Sequence, residues 1–151
     1  MKNKTEFLTS IAKKILDVNP NASLTGTLML KLRGIDLGRE PSDIDILICD
    51  YSPNIIFPKD MEVESIKNAS DGSDSRFEYH EDGHKVIIDV LSDGEEPEMV
   101  DGIRLGTVKG LMRDKYNYSL QDNDSAKKHH DDLVKLGFEF PKEDPNIFGV
   151  L

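Results

Sequence analysis

The sequence predicts an α+β domain in which helices pack on a small mixed β-sheet. The prediction rests on amphipathic helical patterns at both ends of the chain, strand-like apolar runs between them, and a length of 151 residues, which suits one ordinary domain. We see no internal repeat and no second domain, so residues 1–151 are expected to form a single domain.

Two helices are expected before the sheet. The first runs from Glu6 to Val18, with Thr5 as its N-cap, and the turn-forming segment 19–21 ends it. The stretch 23–33 opens with a turn of small residues and continues as the second helix. Residues 34–42, which include two glycines and a proline, are expected to form a loop.

The middle of the chain carries the strand patterns, which are alternating or continuous apolar runs. The expected strands are Ile44–Cys49, Met61–Ile66, Arg76–Tyr79 and Lys85–Leu91. The acidic segment 68–75 is expected to be a turn, and Asp82-Gly83 a tight hairpin turn, because this pair tolerates positive φ. Helices over 107–116 and 125–136 follow, and Gly137 ends the second.

Composition limits the function and the compartment. The net charge of −10 argues against general nucleic-acid binding, because phosphate backbones attract basic faces, but divalent cations can still join a nucleotide to an acidic site. No apolar run approaches the roughly 20 residues that span a bilayer, and we expect no signal peptide. The one cysteine, Cys49, favours a reducing compartment, and the cytoplasm is the expected location.

The strongest chemical feature is the pair Asp43 and Asp45 at the start of a predicted strand. Residues two apart on a strand point to the same face, so the two carboxylates are expected to project side by side. Like charges in this arrangement repel each other unless a cation lies between them. The pair indicates a metal site, and the alternative is a polar strand start with two solvated acids.

Asp89 adds a third carboxylate, because it interrupts the otherwise apolar run 86–91. A charge at that place is costly unless it is paired or bound to a metal, and an ion pair with a lysine or arginine is the alternative. Three carboxylates from two neighbouring strands would form an oxygen-rich site that suits Mg²⁺ or Mn²⁺ better than zinc. The pattern excludes an EF-hand, since no Asp-x-Asp-x-Asp-Gly loop ending in glutamate is present.

A turn of small residues, Thr25-Gly26-Thr27, leads into the second predicted helix. Backbone N–H groups at the start of a helix bind phosphate, and Gly26 would let a ligand approach the main chain. Many turns of this kind are only helix caps.

Together these motifs resemble the DNA polymerase β-like nucleotidyltransferase superfamily, and most closely its abortive-infection type IV toxin (AbiEii-like) branch. The matching residues are Thr25-Gly26-Thr27, Leu30-x-Leu32-Arg33, Gly38-Arg39-x-x-Ser42-Asp43-Ile44-Asp45, Asp89, Gly102–Leu105, Leu111-x-x-x-Lys115 and Lys128–Leu133. The match spans about residues 24–136. The chain departs from the pattern in Thr25, where many members have glycine, in an acidic insertion around 60–82, and in the lack of a substrate-recognition domain.

The resemblance implies transfer of a nucleoside monophosphate from ATP or another NTP to an acceptor hydroxyl by a two-metal mechanism. The implied metal ligands are Asp43, Asp45 and Asp89. Lys115 would join them as a catalytic residue that neutralises the triphosphate; a solvated helix lysine is the alternative. The implied nucleotide contacts are Gly26, Thr27, Arg39 and Ser42.

The other polar residues of the motifs are expected mainly to have structural roles or to lie on the surface. Arg33 and Arg39 are expected mainly to pin the loop by pairing with acids. Asp132 is expected to orient Lys115 or to cap the bundle, and a plain surface acid is the alternative. His129 and His130 are expected on the surface, because adjacent residues of a helix face different directions.

Two other functions remain open. One is a catalytically inactive member of this fold that binds a nucleotide or a partner protein, and the other is a small acidic interaction module. The acceptor is not identified: RNA such as tRNA, a protein side chain and a small molecule are all compatible with the motifs. The resemblance also raises an antitoxin-like protein, or a second copy of this chain, as a partner.

Overall fold

The computed structural model describes residues 3–48, 55–66, 75–92 and 95–141. Within these ranges it contains four α-helices and one seven-stranded sheet. The elements in chain order are α1 (Lys4–Asp17), β1 (Ala22–Thr25), α2 (Gly26–Leu32), β2 (Ile44–Ile48), β3 (Val63–Ile66), β4 (Ser75–Glu81), β5 (His84–Ser92), β6 (Glu98–Val100), β7 (Ile103–Leu105), α3 (Val108–Ser119) and α4 (Ala126–Lys135).

The sheet is mixed, as the sequence predicts, and its strand order is β3-β4-β5-β2-β1-β7-β6. The pairs β2–β5 and β1–β7 are parallel, and the other neighbours are antiparallel. The predicted α+β class is therefore confirmed. None of the described helices is long and apolar enough to cross a bilayer.

One face of the central strands packs in the hydrophobic core with α1 and α2. The buried strand residues of this face are Ile44, Ile46 and Ile48 of β2 and Val86, Ile88 and Val90 of β5. Leu8, Ile11 and Ile15 of α1 lie in the same core. Burial of each such side chain stabilises the fold by about 1.5–3 kcal/mol. Because side chains alternate along a strand, Asp45 and Asp89 lie on the opposite face.

The helix boundaries differ from the predicted ones at the N-terminus. α1 begins at Lys4, and the Asn3 carboxamide oxygen accepts a hydrogen bond of 2.8 Å from the Glu6 N–H. The N-cap is therefore Asn3, and the prediction of Thr5 is wrong, since asparagine at an N-cap satisfies the free N–H groups at least as well as threonine. Thr107 caps α3, and Gly137 follows α4 with φ +75°.

The strands also differ in part. The local pattern predicts a turn at β1, but all four of its residues pair with β2 and Leu24 also pairs with Leu105 of β7, and these long-range pairings outweigh the local pattern. β6 and β7 have no counterpart among the strands predicted from the apolar pattern, although β7 falls in the segment Gly102–Leu105, which the resemblance implies to be a strand. The hairpin turn is confirmed, since Glu81 pairs with His84 and the turn residues Asp82 and Gly83 have φ of 51° and 77°. Cys49 and the predicted turn up to residue 74 lie outside the described residues.

Arg104 joins β7 to the first helix and the first strand. Its guanidinium donates hydrogen bonds to the carbonyls of Leu16, Asn19 and Ala22, with distances of 2.9 Å to Asn19 and 2.7 Å to Ala22. These carbonyls belong to the end of α1, the connection after it and the start of β1, and those of Leu16 and Asn19 also accept backbone hydrogen bonds within this segment. β7 is thereby held against the segment that leads into the site.

Candidate active site

The register of four strands places a row of polar residues across the sheet. Thr25 pairs with Asp45, Asp45 with Asp89, and Asp89 with Arg76. Directly paired residues project from the same face, and neighbouring strands lie roughly 4.8 Å apart. Asp43 immediately precedes β2, two residues from Asp45. The predicted convergence of carboxylates from two neighbouring strands is therefore present in the fold.

A cavity of about 150 Å³ lies over this row and is closed on its other side by α3 and α4. It brings together every residue that the sequence motifs assign to the site. These are Gly26, Thr27, Arg39, Ser42, Asp43, Asp45, Asp89 and Lys115. Small-molecule sites usually enclose about 300–1,000 Å³, so this cavity is smaller than a typical ligand site.

Asp43 is a half-buried carboxylate beside other acids. Burial raises its pKa, and so does the negative charge of Asp89, while the charges of Lys128, Arg76 and Lys4 act in the opposite direction. No hydrogen bond or ion pair joins Asp43 to another residue within the described ranges. A cation near Asp43 would therefore relieve both the burial cost and the repulsion.

Asp89 is buried, with 5% of its surface exposed, and it is paired. Arg76 donates to its two carboxylate oxygens, from Nε at 2.6 Å and from Nη2 at 3.2 Å. This is the ion-pair arrangement that the sequence allows as the alternative for Asp89. Its role as a metal ligand stays a prediction.

The fit to a divalent cation is consequently partial. Asp43 and Asp45 supply the oxygen ligands that Mg²⁺ prefers, on one face of the sheet. Both oxygens of Asp89 are held by a guanidinium, and the described part of the chain contains no cluster of three or more His, Cys, Asp or Glu residues arranged to hold a metal. Two of the three carboxylates therefore fit a cation in this arrangement.

Gly26 lies directly against Asp45. It has φ +78°, and a Cβ placed on it would stand 2.0 Å from Asp45 Oδ2. The Asp45 carboxylate fills the space on the side where a side chain of residue 26 would project, and the expectation that a ligand approaches the main chain at Gly26 stays a prediction. Glycine is required here both by the backbone angle and by the side chain of Asp45.

Three charged residues form a hydrogen-bonded network on the helical side of the cavity: Arg39 from the loop before β2, Lys115 from α3 and Asp132 from α4. Asp132, which is 1% exposed, accepts bonds from Arg39 at 2.6 and 2.8 Å and from Lys115 Nζ at 2.9 Å. Arg39 Nη2 also lies 3.4 Å from the Thr27 hydroxyl. The network ties the loop before β2 to α2, α3 and α4. Lys115 is buried, so its alternative as a solvated lysine is wrong, and Asp132 holds it in place.

Protonation in this network follows from burial and pairing. Burial lowers the pKa of Lys115, and its hydrogen bond to Asp132 offsets part of that effect. Burial would raise the pKa of Asp132, but the bonds from Arg39 and Lys115 outweigh it and hold the pKa well below its ordinary value. The hydrogen bond to Asp132 raises the pKa of Arg39. Asp132 is therefore ionised at neutral pH.

His129 lines the cavity, although the sequence predicts it on the surface. Its Nδ1 lies 3.4 Å from Lys115 Nζ, and its ring centroid lies 5.1 Å from that of Tyr118, which also lines the cavity. The spacing of three residues from His129 to Asp132, and from Lys115 to Tyr118, puts each pair on one helix face and was the signal that could have identified them. His130 is exposed, as predicted.

Arg33 lies outside the cavity lining. Its guanidinium donates to Glu98 at 2.8 Å and to the Gly106 carbonyl at 2.6 Å. The expected pairing with an acid is present, and it fastens α2 to β6 and to the residue that follows β7.

The comparisons with known proteins concern the fold. No family model matches the chain, and no curated protein matches it. It is similar to the structure of a candidate nucleotidyltransferase from H. pylori, with 14% identity, a TM-score of 0.56, and coverage of 90% of this chain and 69% of that one. It is also similar to an antigenic nucleotidyltransferase-like protein from Paracoccidioides brasiliensis, with 16% identity, a TM-score of 0.54, and coverage of 87% and 74%. The chain therefore has a nucleotidyltransferase fold; likeness at these identities shows the fold alone.

Asp132→Asn tests the charge network. The variant leaves Lys115 and Arg39 without their shared carboxylate, so we expect a loss of about 3–5 kcal/mol in the free energy of unfolding at pH 7. Because the folded pKa of Asp132 is lowered, its contribution is complete above the unfolded value of about 3.9 and is lost as pH falls through the folded value. Urea denaturation from pH 7 to pH 3 should show the gap to the unaltered protein beginning to close below about pH 4. Asp131→Asn, on the exposed side of α4, should stay within about 0.5 kcal/mol. A gap that is absent at pH 7 would contradict the network.

Gly26→Ala tests the contact with Asp45, and Gly34→Ala is its matched control. Gly34 has φ +83°, and no atom lies within 4 Å of the place where a Cβ would stand, so alanine there costs only the strain of the left-handed backbone, about 1–2 kcal/mol. Gly26→Ala adds the clash with Asp45 and should lower the free energy of unfolding further. In an Asp45→Ala background that excess should vanish, which a double-mutant cycle by urea denaturation measures. Equal losses for the two glycine variants would show that Asp45 does not pack on Gly26.

Proposed function

We propose that this chain is a nucleotidyltransferase that moves a nucleoside monophosphate from ATP or another NTP to an acceptor hydroxyl, with Mg²⁺ or Mn²⁺. The observation that carries the proposal is the arrangement of Asp43 and Asp45 opposite the buried Lys115 in one cavity of a nucleotidyltransferase fold. The charge of Asp45 also reaches Lys115, where it favours the protonated amine. A site with acids on one wall and cations on the other suits metal-bridged phosphates.

The carboxylates of Asp43 and Asp45 would hold the divalent cation, and Asp89 would become a third ligand if Arg76 releases it. When bound, the cation would neutralise charge on the phosphates and stabilise the attacking and leaving oxygens. In the reaction an acceptor oxygen forms a bond to the α-phosphorus, and the bond from that phosphorus to the bridging oxygen of the β-phosphate breaks. Pyrophosphate leaves, and the hydroxyl proton of the acceptor would pass to Asp89 or to water.

Lys115 would bind the triphosphate from the helical wall. Its ammonium is held by Asp132 in a site with little water, where a charge acts more strongly than at the surface. Arg39, the Thr27 hydroxyl and Ser42 would add contacts to the phosphates or the sugar. Asp132 is a positioning residue in this proposal, since it acts through Lys115 and Arg39.

The size of the cavity sets how a nucleotide would lie. About 150 Å³ admits phosphates rather than a whole nucleotide, so the base would extend beyond the cavity, and the ring of the lining residue Tyr118 would offer it a stacking surface. A neighbouring groove of about 510 Å³ shares Ser42 with the cavity and is lined by Phe7, Leu8 and Lys85 among others. It offers room for the part of an acceptor that does not react. RNA, a protein and a small molecule remain the candidate acceptors.

The sequence motifs extend the proposal to the AbiEii-like branch, and with it to an antitoxin-like protein or a second copy of the chain as partner. The proposed compartment is the cytoplasm, because a single cysteine favours reducing conditions.

One observation favours a second function, a catalytically inactive protein that binds a nucleotide or a partner. The Arg76–Asp89 ion pair commits the third carboxylate and leaves two for a metal.

A thermal-shift experiment tests the proposed site. Mg²⁺ with ATP or another NTP, at about 100 times the dissociation constant, should stabilise the folded protein by about 2.7 kcal/mol, which raises the melting temperature by about 5–10 °C. The Asp43→Asn/Asp45→Asn variant should fold and lose this shift. Asp17→Asn, which changes an exposed acid at the end of α1 outside the cavity lining, should keep it. An unchanged shift in the double variant would place the nucleotide elsewhere.

A further inference from the structure

Arg76 lies next to the proposed site and forms an ion pair with one of its acids, Asp89. It lies on β4, in the acidic insertion, and the sheet register sets it directly beside Asp89 on β5. Its guanidinium reaches both carboxylate oxygens, and the two side chains are 22% and 7% exposed. A two-point bond of this kind between partly buried groups has a fixed geometry, unlike a surface ion pair.

The positive charge of Arg76 also acts on the other acids of the site. Asp89 stands between Arg76 on one side and Asp45 on the other. The negative charge of Asp89 raises the pKa of Asp43, and the positive charge of Arg76 lowers it. Arg76 therefore offsets part of the repulsion in a group of three acids, which is the effect that a bound cation would also have.

We infer that Arg76 is the internal counter-ion of Asp89 and competes with the divalent cation for this carboxylate. The inference rests on the proposed function, since it concerns the metal of that site. Both Asp89 oxygens accept hydrogen bonds from the guanidinium, which takes up lone pairs and places a positive charge beside the carboxylate, so a metal at Asp89 is disfavoured until Arg76 moves away. Binding of the cation and formation of the ion pair oppose each other, and by linkage each weakens the other by the same factor.

Arg76 thus sets the metal affinity of the site. A protein without the competing guanidinium should bind the cation more tightly, although its metal-free form should be less stable. A purely structural ion pair, which only fastens β4 to β5, predicts the loss of stability without a gain in metal affinity. Metal affinity and metal-free stability measured on the same variant separate the two roles.

The experiment is a titration of metal-free protein with Mn²⁺, without nucleotide, by isothermal titration calorimetry. Arg76→Met should lower the dissociation constant between about 5- and 150-fold, the usual range for coupled equilibria. Its melting temperature should fall without metal and recover with Mn²⁺. Lys4→Met is the matched control: it removes the same charge, which also acts on Asp43, from a residue outside the cavity lining. It should change the dissociation constant by less than about 3-fold.

Arg76→Lys guards against a variant that fails to fold. Lysine keeps the charge but cannot make the two-point bond, so its Mn²⁺ affinity should lie between those of the unaltered protein and Arg76→Met. An affinity in both Arg76 variants no higher than in Lys4→Met would overturn the inference. If the unaltered protein binds Mn²⁺ and Asp43→Asn/Asp45→Asn does not, the proposed metal site stands even in that case. No Mn²⁺ binding by any of these proteins would contradict both.

Discussion

The parallel pairing of β2 with β5 is the constraint on which the candidate site depends. Ile44, Ile46 and Ile48 pair with Ile88, Val90 and Ser92, and the isoleucines and valine of this set are buried. A slip by one residue would turn the buried set toward the other face, so the core fixes the register. The same register places Asp45 beside Asp89 on the opposite face. Asp45 and Asp89 are therefore positioned by the apolar residues that alternate with them along the two strands.

Two walls of opposite charge meet at the cavity, and each is stabilised differently. The sheet wall brings acids together, and Arg76 supplies a positive charge to it through Asp89. On the helical wall, Asp132 neutralises Lys115 and Arg39, which would otherwise repel each other. Removal of one partner from such a buried set is costly, because it leaves a charge without compensation. A chain of net charge −10 thereby presents the buried Lys115 and the partly exposed Arg39 where the phosphates of a nucleotide would lie.

Much of this arrangement could be predicted from the sequence, because it depends on local patterns. The helical periods and the apolar runs indicated the α+β class, and the interruption of such a run identified Asp89. Features that depend on distant partners could not be predicted: β1 needs strands on both sides, and the Arg76–Asp89 pair needs the register of an inserted hairpin. The contact of Gly26 with Asp45 likewise appears only when β1 and β2 are paired. The roles of the site residues stay predictions, since the likeness to solved structures concerns the fold.

The central claim is that the cavity supports transfer of a nucleoside monophosphate, and the position of a radioactive label tests it most directly. Each NTP, labelled with ³²P at either the α- or the γ-phosphate, would be incubated with the protein, Mg²⁺ and cell extract. We predict that an acceptor gains the α-label and not the γ-label, and that Asp43→Asn/Asp45→Asn abolishes the transfer. Transfer of the γ-label would instead indicate a phosphotransferase. If neither label reaches an acceptor while the nucleotide still binds, the protein is a binding module and the proposed chemistry is wrong.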